Sequence, residues 1–180
     1  LRREQHLGDA YRALNPQRLV PALEAGGRVL TQTPAIIEWL EERHPEPPLL
    51  PADADARQRV RAIAAIVGCD IHPVNNRRIL EALRRDFGAD DAAVGRWCAR
   101  WIGDGFDAIE AMLAADPSRG DFCVGAAPTL ADVYLVPQVE SARRFGVAVA
   151  RWPLIEAVDA ACARLDAFRR AAPALQPDAA

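Results

Sequence analysis

The stretch LNPQRLVPALEAGGRVLTQTPAIIEWLEERHP, Leu14 to Pro45, sets two short apolar runs on either side of a glycine pair and then opens a helix. Leu19–Leu23 and Arg28–Gln32 read as strands joined through Ala25–Gly27, the pattern of a β-hairpin. Pro34 suits the first turn of a helix, with Thr33 as its N-cap and Glu38 on the solvent side. Ile36, Ile37 and Leu40 are spaced along one face of that helix. Two features sit oddly in this pattern. Pro21 falls inside the first strand, where it removes a ladder donor. It reads either as an ordinary edge proline or as a cis peptide that turns neighbouring backbone groups toward a ligand. Gln32-Thr33 at the helix mouth caps the helix in the plain reading. The same pair also offers amides, a hydroxyl and a positive dipole end to a carboxylate.

Upstream of this stretch, Leu1 to Gln17 is polar and reads as a short helical turn leading into a loop. Downstream, His44–Asp53 holds four prolines in ten residues, which neither continue a helix nor join a sheet centre. The linker is therefore placed at residues 47–53, between an N-terminal piece at 1–46 and a C-terminal piece at 54–180. The later segments are helical in pattern: Ala54–Asp86 with a break at Pro73, Asp90–Ala115, Thr129–Phe145 and Pro153–Ala171. A hairpin plus one helix is marginal alone and presents unpaired edges. Further strands are expected from a segment before Leu1, or else a cover for the sheet edge. The opening Leu1, with Met112 as the only methionine, points the same way.

With 180 residues the chain is long enough to bury a sizeable core. Half of the residues are apolar and few are aromatic, a composition of mostly helical proteins. A net charge of −3, from 22 basic and 25 acidic residues, gives no basic excess for nucleic acid. No apolar run approaches the roughly 18 residues of a membrane span. Cys69, Cys98, Cys123 and Cys162 lack metal-site or disulfide spacing and read as buried, reduced thiols of a cytoplasmic protein.

Polar residues concentrate in two further places. In CDIHPVNNRRIL (Cys69–Leu80), His72 and Asn76 lie four apart on what reads as one helix face. Asp70 precedes the Pro73 kink, and Arg77 and Arg78 follow. This is either a solvated surface or the polar wall of a pocket. A metal site is not indicated, because one histidine stands without an acidic partner at ligand spacing. In PTLADVYLVPQVESARRFG (Pro128–Gly146), Thr129 and Asp132 have the spacing of a capping box. Arg143 and Arg144 suit a helix C-terminus, and a guanidinium there could equally clamp a carboxylate in bidentate fashion.

Together the stretches YRALNPQRLVPALE, VLTQTPAIIEWLEERHPEPPLLP, CDIHPVNNRRIL, GAAPTLADVYLVPQV and ARRFGV resemble the zeta-class glutathione transferases, the maleylacetoacetate and maleylpyruvate isomerases. The resemblance implies an α+β fold in two parts, a partial thioredoxin-like α/β domain followed by an all-α glutathione transferase domain, assembled as a homodimer. It implies that Pro21 is cis and that the Val20 backbone pairs with the cysteinyl part of glutathione. Gln32 and Thr33 would take the γ-glutamyl end, and Gln17 and His6 the glycyl end. Asp70, His72 and Asn76 would be polar contacts at the glutathione or substrate pocket, with Asp70 serving either its own or the partner subunit. Arg144 and Arg78 would hold the carboxylates of a small dicarboxylate substrate. The implied reaction is cis–trans isomerisation through thiolate addition, rotation and elimination. Two alternatives stand beside it, a zeta-type transferase acting on α-halo acids and a non-catalytic binding module. The family's Ser/Cys-rich motif followed by Arg, which activates the thiol, does not occur in these 180 residues. No catalytic residue is therefore assigned within them.

Overall fold

The structure is a computed structural model and describes residues 4–116 and 119–177. The chain divides into two units, Leu1–Pro48 and Leu49–Ala180.

In the first unit a single turn of 3₁₀ helix at Gln5–Leu7 leads into helix α1 (Asp9–Leu14). Strands β1 (Ala22–Ala25) and β2 (Arg28–Thr31) pair antiparallel, with Ala22 opposite Thr31 and Ala25 opposite Arg28. Gly26 and Gly27 both take positive φ, 56° and 72°. That is the requirement of a two-residue hairpin turn whose twist matches the strands, and side chains at these positions would be strained. The hairpin is shorter than the sequence pattern suggests. Leu19, Val20 and Pro21 lie before β1 rather than in it, because a proline without an N–H cannot start the ladder on the paired side. The Val20–Pro21 peptide is cis.

Helix α2 (Thr33–Arg43) follows at once. Its N-cap is Gln32 and not Thr33, which shifts the expected start by one residue and puts Pro34 in the first turn. Ile36 is the residue of α2 that is buried, whereas Leu40 is exposed and Glu38 is half-buried. The apolar face is thus narrower than the spacing of Ile36, Ile37 and Leu40 implies.

The second unit is helical throughout. Helix α3 (Ala54–Ala65) is capped by Asp53, whose carboxylate accepts from the Ala56 N–H at 2.8 Å. It runs directly into a π-helical turn at Ile66–Ile71, closed by the His72 N–H to the Val67 carbonyl at 2.9 Å. A 3₁₀ turn at Pro73–Asn75 then precedes α4 (Arg77–Phe87). The break expected at Pro73 is thus present, because Pro73 lacks the N–H needed to continue the ladder, and the π-helical turn that precedes it is an addition to the expected pattern. Helix α5 (Asp91–Ala114) is the longest, and buries Val94, Cys98, Ile102, Phe106, Ile109 and Leu113 at helical spacing. Helices α6 (Leu130–Arg144), α7 (Pro153–Ala163) and α8 (Asp166–Ala171) complete the unit. The sequence pattern runs the last two together, whereas the chain separates them at Arg164-Leu165.

Carboxylates also fix the starts of α6 and α7. Asp132, with no exposed surface, accepts from the Thr129 N–H at 2.7 Å, the Thr129 hydroxyl at 3.0 Å and the Cys123 N–H at 2.9 Å. Glu110 of α5 reaches across to α7, whose own N-cap Trp152 offers no side-chain acceptor. Its two oxygens accept from the Leu154 and Ile155 N–H groups at 2.9 and 3.0 Å. One turn earlier on α5, Asp107 accepts from the Trp152 indole at 2.7 Å, and the indole meets Phe106 edge-on at 5.2 Å.

Of the four cysteines, Cys98, Cys123 and Cys162 are buried and Cys69 is exposed. Burial pushes the Cys162 thiol up to about 12, helped by the Asp132 charge, so it stays protonated at neutral pH. Among the described residues no helix is long and apolar enough to cross a membrane, and no cluster of acidic, His and Cys side chains could hold a metal ion.

Replacing Asp132 by Ala leaves two buried N–H groups and a hydroxyl without their acceptor. Asp132→Ala is expected to cost roughly 2–5 kcal/mol of stability in urea unfolding, and a loss below about 1 kcal/mol contradicts its capping role.

Candidate functional site

The loop between α1 and β1 is built by Asn15. Its side-chain amide donates to the Leu19 carbonyl at 2.7 Å, and its oxygen accepts from the Gln17 N–H at 3.1 Å. The Tyr11 hydroxyl donates to the same Leu19 carbonyl at 2.8 Å. With Pro16 second in the turn and the Arg18 N–H bonded to the Asn15 carbonyl at 2.8 Å, this is an Asx turn. Arg18 takes φ 56°, which reverses the chain before Val20. Neither Asn15 nor Tyr11 stands out in the sequence as a site residue. The signal lies in the Asn-Pro pair, whose asparagine is 3% exposed in a unit that buries little else.

This loop delivers Gln17 to Gln32. The Gln32 side-chain nitrogen donates to the Gln17 side-chain oxygen across fifteen residues. Gln32 takes φ 70° and ψ 110°, so the chain bends sharply into α2, and no side chain caps the helix's first turn. The exposed Thr33 hydroxyl and the first-turn amides thus stand at the positive end of an eleven-residue helix, next to the paired glutamines. Nearby in sequence, His6, Tyr11, Leu14 and Val20 line an open depression of about 440 Å³. His6 Nδ1 is buried there with no hydrogen-bond partner among the described residues. A buried nitrogen left unpaired costs free energy, so it is a position that a ligand group could satisfy. Val20 itself is 49% exposed, and its backbone flanks the cis bond to Pro21.

The second unit contains the remaining candidates. His72 and Asn76 do not share a helix face as their spacing suggests, because the 3₁₀ turn at Pro73–Asn75 separates them. Asn76 is instead the N-cap of α4, its side-chain oxygen accepting from the Arg78 N–H at 3.2 Å. Its amide N–H₂ is left as the group with donors to offer. His72 is exposed at its rim, yet surrounding protein desolvates it and the Arg144 charge acts on it. Both effects hold its pKa below the ordinary 6.5 and favour the neutral ring. His72 and Arg144 are thus brought within electrostatic reach across 72 residues of sequence.

The two arginines that end α6 differ in their partners. Arg143 pairs with the largely buried Asp159 at 2.7 Å, which anchors α6 to α7. Arg144 has no carboxylate partner among the described residues, and reaches only the Ser141 hydroxyl at 3.4 Å and the Phe145 ring at 5.2 Å. Its charge is also felt at Cys98, though burial still pushes that thiol up. On α4, Arg77 pairs with Glu81, whereas the exposed Arg78 has no carboxylate partner among the described residues. Asp70 is exposed within the π-helical turn. The arrangement supplies peptide-like and anionic ligands with donors in the first unit, and carboxylates with cations in the second.

Comparison with known proteins places the chain in a family. The glutathione S-transferase N-terminal domain family matches residues 2–48. A maleylpyruvate isomerase from a Ralstonia species is 71% identical over 180 residues, covering the whole of this chain and 85% of its own. The holo structure of a maleylpyruvate isomerase, described as a bacterial zeta-class glutathione transferase, superposes with a TM-score of 0.98 at 71% identity over 99% of this chain and 84% of the other. A maleylacetoacetate isomerase from Methylobacterium extorquens with bound malonate and glutathione gives 0.93 at 33% identity, over 98% and 83%. The chain therefore belongs to the zeta-class glutathione transferases, in the branch of the maleylpyruvate and maleylacetoacetate isomerases.

Proposed function

We propose that this protein is a glutathione-dependent cis–trans isomerase of maleylpyruvate or maleylacetoacetate, with maleylpyruvate favoured. The observation that carries this reading is the 71% identity to a maleylpyruvate isomerase over all 180 residues. The residues of the first unit fit a tripeptide with a carboxylate at each end. Gln32 and Thr33 at the mouth of α2 take the γ-glutamyl end, through amide and hydroxyl groups on the positive side of the helix dipole. The exposed Val20 backbone, opened beside Pro21, pairs with the cysteinyl part in the manner of an added strand. Gln17 and the buried His6 Nδ1, without a hydrogen-bond partner among the described residues, serve the glycyl end. When bound, glutathione supplies the thiolate that adds to the alkene and leaves once the bond has turned.

The second unit manages the charge of the substrate. Arg144, with no carboxylate partner among the described residues, holds a substrate carboxylate through charge-assisted hydrogen bonds, and Arg78 takes a second. A neutral His72 can donate or accept at a substrate oxygen without adding to the local charge. Electron density flows from the alkene toward the flanking carbonyl during addition, so a fixed cation nearby stabilises that developing charge. Asp70 and the amide of Asn76 contribute to the same pocket wall, Asp70 serving its own or the partner subunit. The protein acts as a homodimer in the cytoplasm, a reducing compartment that suits four free cysteines.

The reading is tested on the full-length protein by following maleylpyruvate absorbance with and without glutathione. Conversion only in the presence of glutathione supports it, and no conversion overturns it. Arg144→Gln is expected to raise the KM for the dicarboxylate roughly tenfold or more while glutathione binding holds, since a charge-assisted hydrogen bond is worth about 1.5–3 kcal/mol. Gln32→Ala should show the opposite split in calorimetry and kinetics, with glutathione weakened roughly fivefold and the dicarboxylate little affected. In NMR titrations the His72 ring should titrate below 6.5, and Arg144→Gln should move that midpoint upward. Because the folded-state pKa lies below the unfolded one, this group adds stability above pH 6.5 that is lost as pH falls through the folded midpoint.

A further inference from the structure

Helix α5 carries a glycine at position 105, in the middle of its length and facing the π-helical turn. A Cβ at that position would lie 2.4 Å from Ile71 Cδ1, 2.5 Å from Ile71 Cγ1 and 3.4 Å from Ile66 Cγ2. Ile66 and Ile71 are the two ends of the turn, so bare α5 backbone forms the floor on which both rest. Ile71 has no exposed surface and cannot swing aside into solvent. On the other side Gly68, within the turn, would bring a Cβ to 3.0 Å from the Tyr134 ring of α6. The turn is thus held between two helices at two glycines. It ends at His72, whose N–H closes its last hydrogen bond.

A π-helical turn adds a residue to the helical register and re-aims the side chains after it, which is why such turns concentrate at functional sites. Here the extra residue sends Ile71 inward and leaves Cys69, Asp70 and His72 on the exposed side. We propose that Gly105 is a positioning residue for the isomerase site: by admitting Ile71 against bare backbone, it fixes the π-helical turn and so sets where His72 stands relative to Arg144. This rests on the functional reading above. A methyl group at position 105 overlaps two buried carbons by about an ångström, and the turn must move to relieve it. Displacements of about 1 Å in a substrate-holding group cost up to roughly 10²-fold in rate.

The test compares Gly105→Ala, Ile71→Ala and the double variant in the full-length protein. Its readouts are the His72 ring titration by NMR and steady-state kinetics with maleylpyruvate and glutathione. Gly105→Ala is expected to move the His72 midpoint upward toward 6.5, as the ring leaves its desolvated place near Arg144. It should lower kcat/KM for the dicarboxylate at least roughly tenfold and leave the glutathione KM within about twofold. Ile71→Ala empties the same seat and should shift the midpoint in the same direction. The double variant, in which the new methyl occupies the vacated space, should return both readouts toward the parent values. An unchanged midpoint in Ile71→Ala, or in a folded Gly105→Ala, overturns the proposal, as does a double variant that recovers neither readout. Should the parent protein show no isomerase activity, the functional reading fails while the titration still decides whether Gly105 positions His72.

Discussion

The Asp132 carboxylate, taken wholly out of water, is the interaction on which the helical unit depends. A buried carboxylate is expensive unless each oxygen is satisfied, and here three donors converge on it. Those donors are themselves awkward: two backbone N–H groups and a hydroxyl at a point where a loop becomes a helix. Satisfying them together fixes the Cys123 loop and the start of α6 in one step. The same start also carries the Leu130 N–H, which donates to the Leu49 carbonyl at 2.9 Å and ties down the residues that enter the unit. Fifteen residues later that helix ends in Arg143 and Arg144. Where Arg144 stands is therefore decided at the far end of α6, through the rigidity of a helix whose entry is pinned.

Helix α5 extends the same logic to the rest of the unit. It contributes acceptors where its neighbour lacks them, with Asp107 on the Trp152 indole and Glu110 on the first turn of α7. It contributes the absence of a side chain where a neighbour needs room, at Gly105 beneath Ile71. Arg143 then links α6 to α7 through Asp159, so the two arginines at the end of α6 have divided roles. One is used by the fold, and its exposed neighbour is left with no carboxylate partner among the described residues. That division makes Arg144 available to an anion, and the crowding of the ring, with the Arg144 charge, keeps His72 neutral.

The first unit follows a different economy, with few buried side chains and a shape set by backbone geometry. Positive φ at Gly26 and Gly27 makes the hairpin, and positive φ at Arg18 and Gln32 makes the two bends that bring Gln17 and Gln32 together. Asn15 and Tyr11 hold the first of these bends through a shared acceptor, the Leu19 carbonyl. The two bends leave the Gln17 and Gln32 amides beside the first turn of α2, groups that suit recognition of a peptide ligand.

From the sequence alone one could read the features that depend on neighbours in the chain. The Gly-Gly hairpin, the proline-rich stretch around residue 48, the helical segments and the Thr129-x-x-Asp132 box all arise from short-range preferences for turn, cap or ladder. The motif resemblance added the family and its reaction. The tertiary structure decided the features that depend on residues far apart. Thr33 yielded the N-cap to Gln32 because that residue must bend to meet Gln17. His72 and Asn76, four apart in sequence, parted because the 3₁₀ turn begun by Pro73 intervenes. The π-helical turn itself has no local signature in IVGCDI, since its room is provided by a glycine 34 residues beyond Ile71 on another helix. Arg143 and Arg144 are chemically identical in the chain, and Asp159 alone distinguishes them. Local sequence fixes the conformations open to the backbone, but the pairing of charges and the filling of space are settled only when distant segments meet.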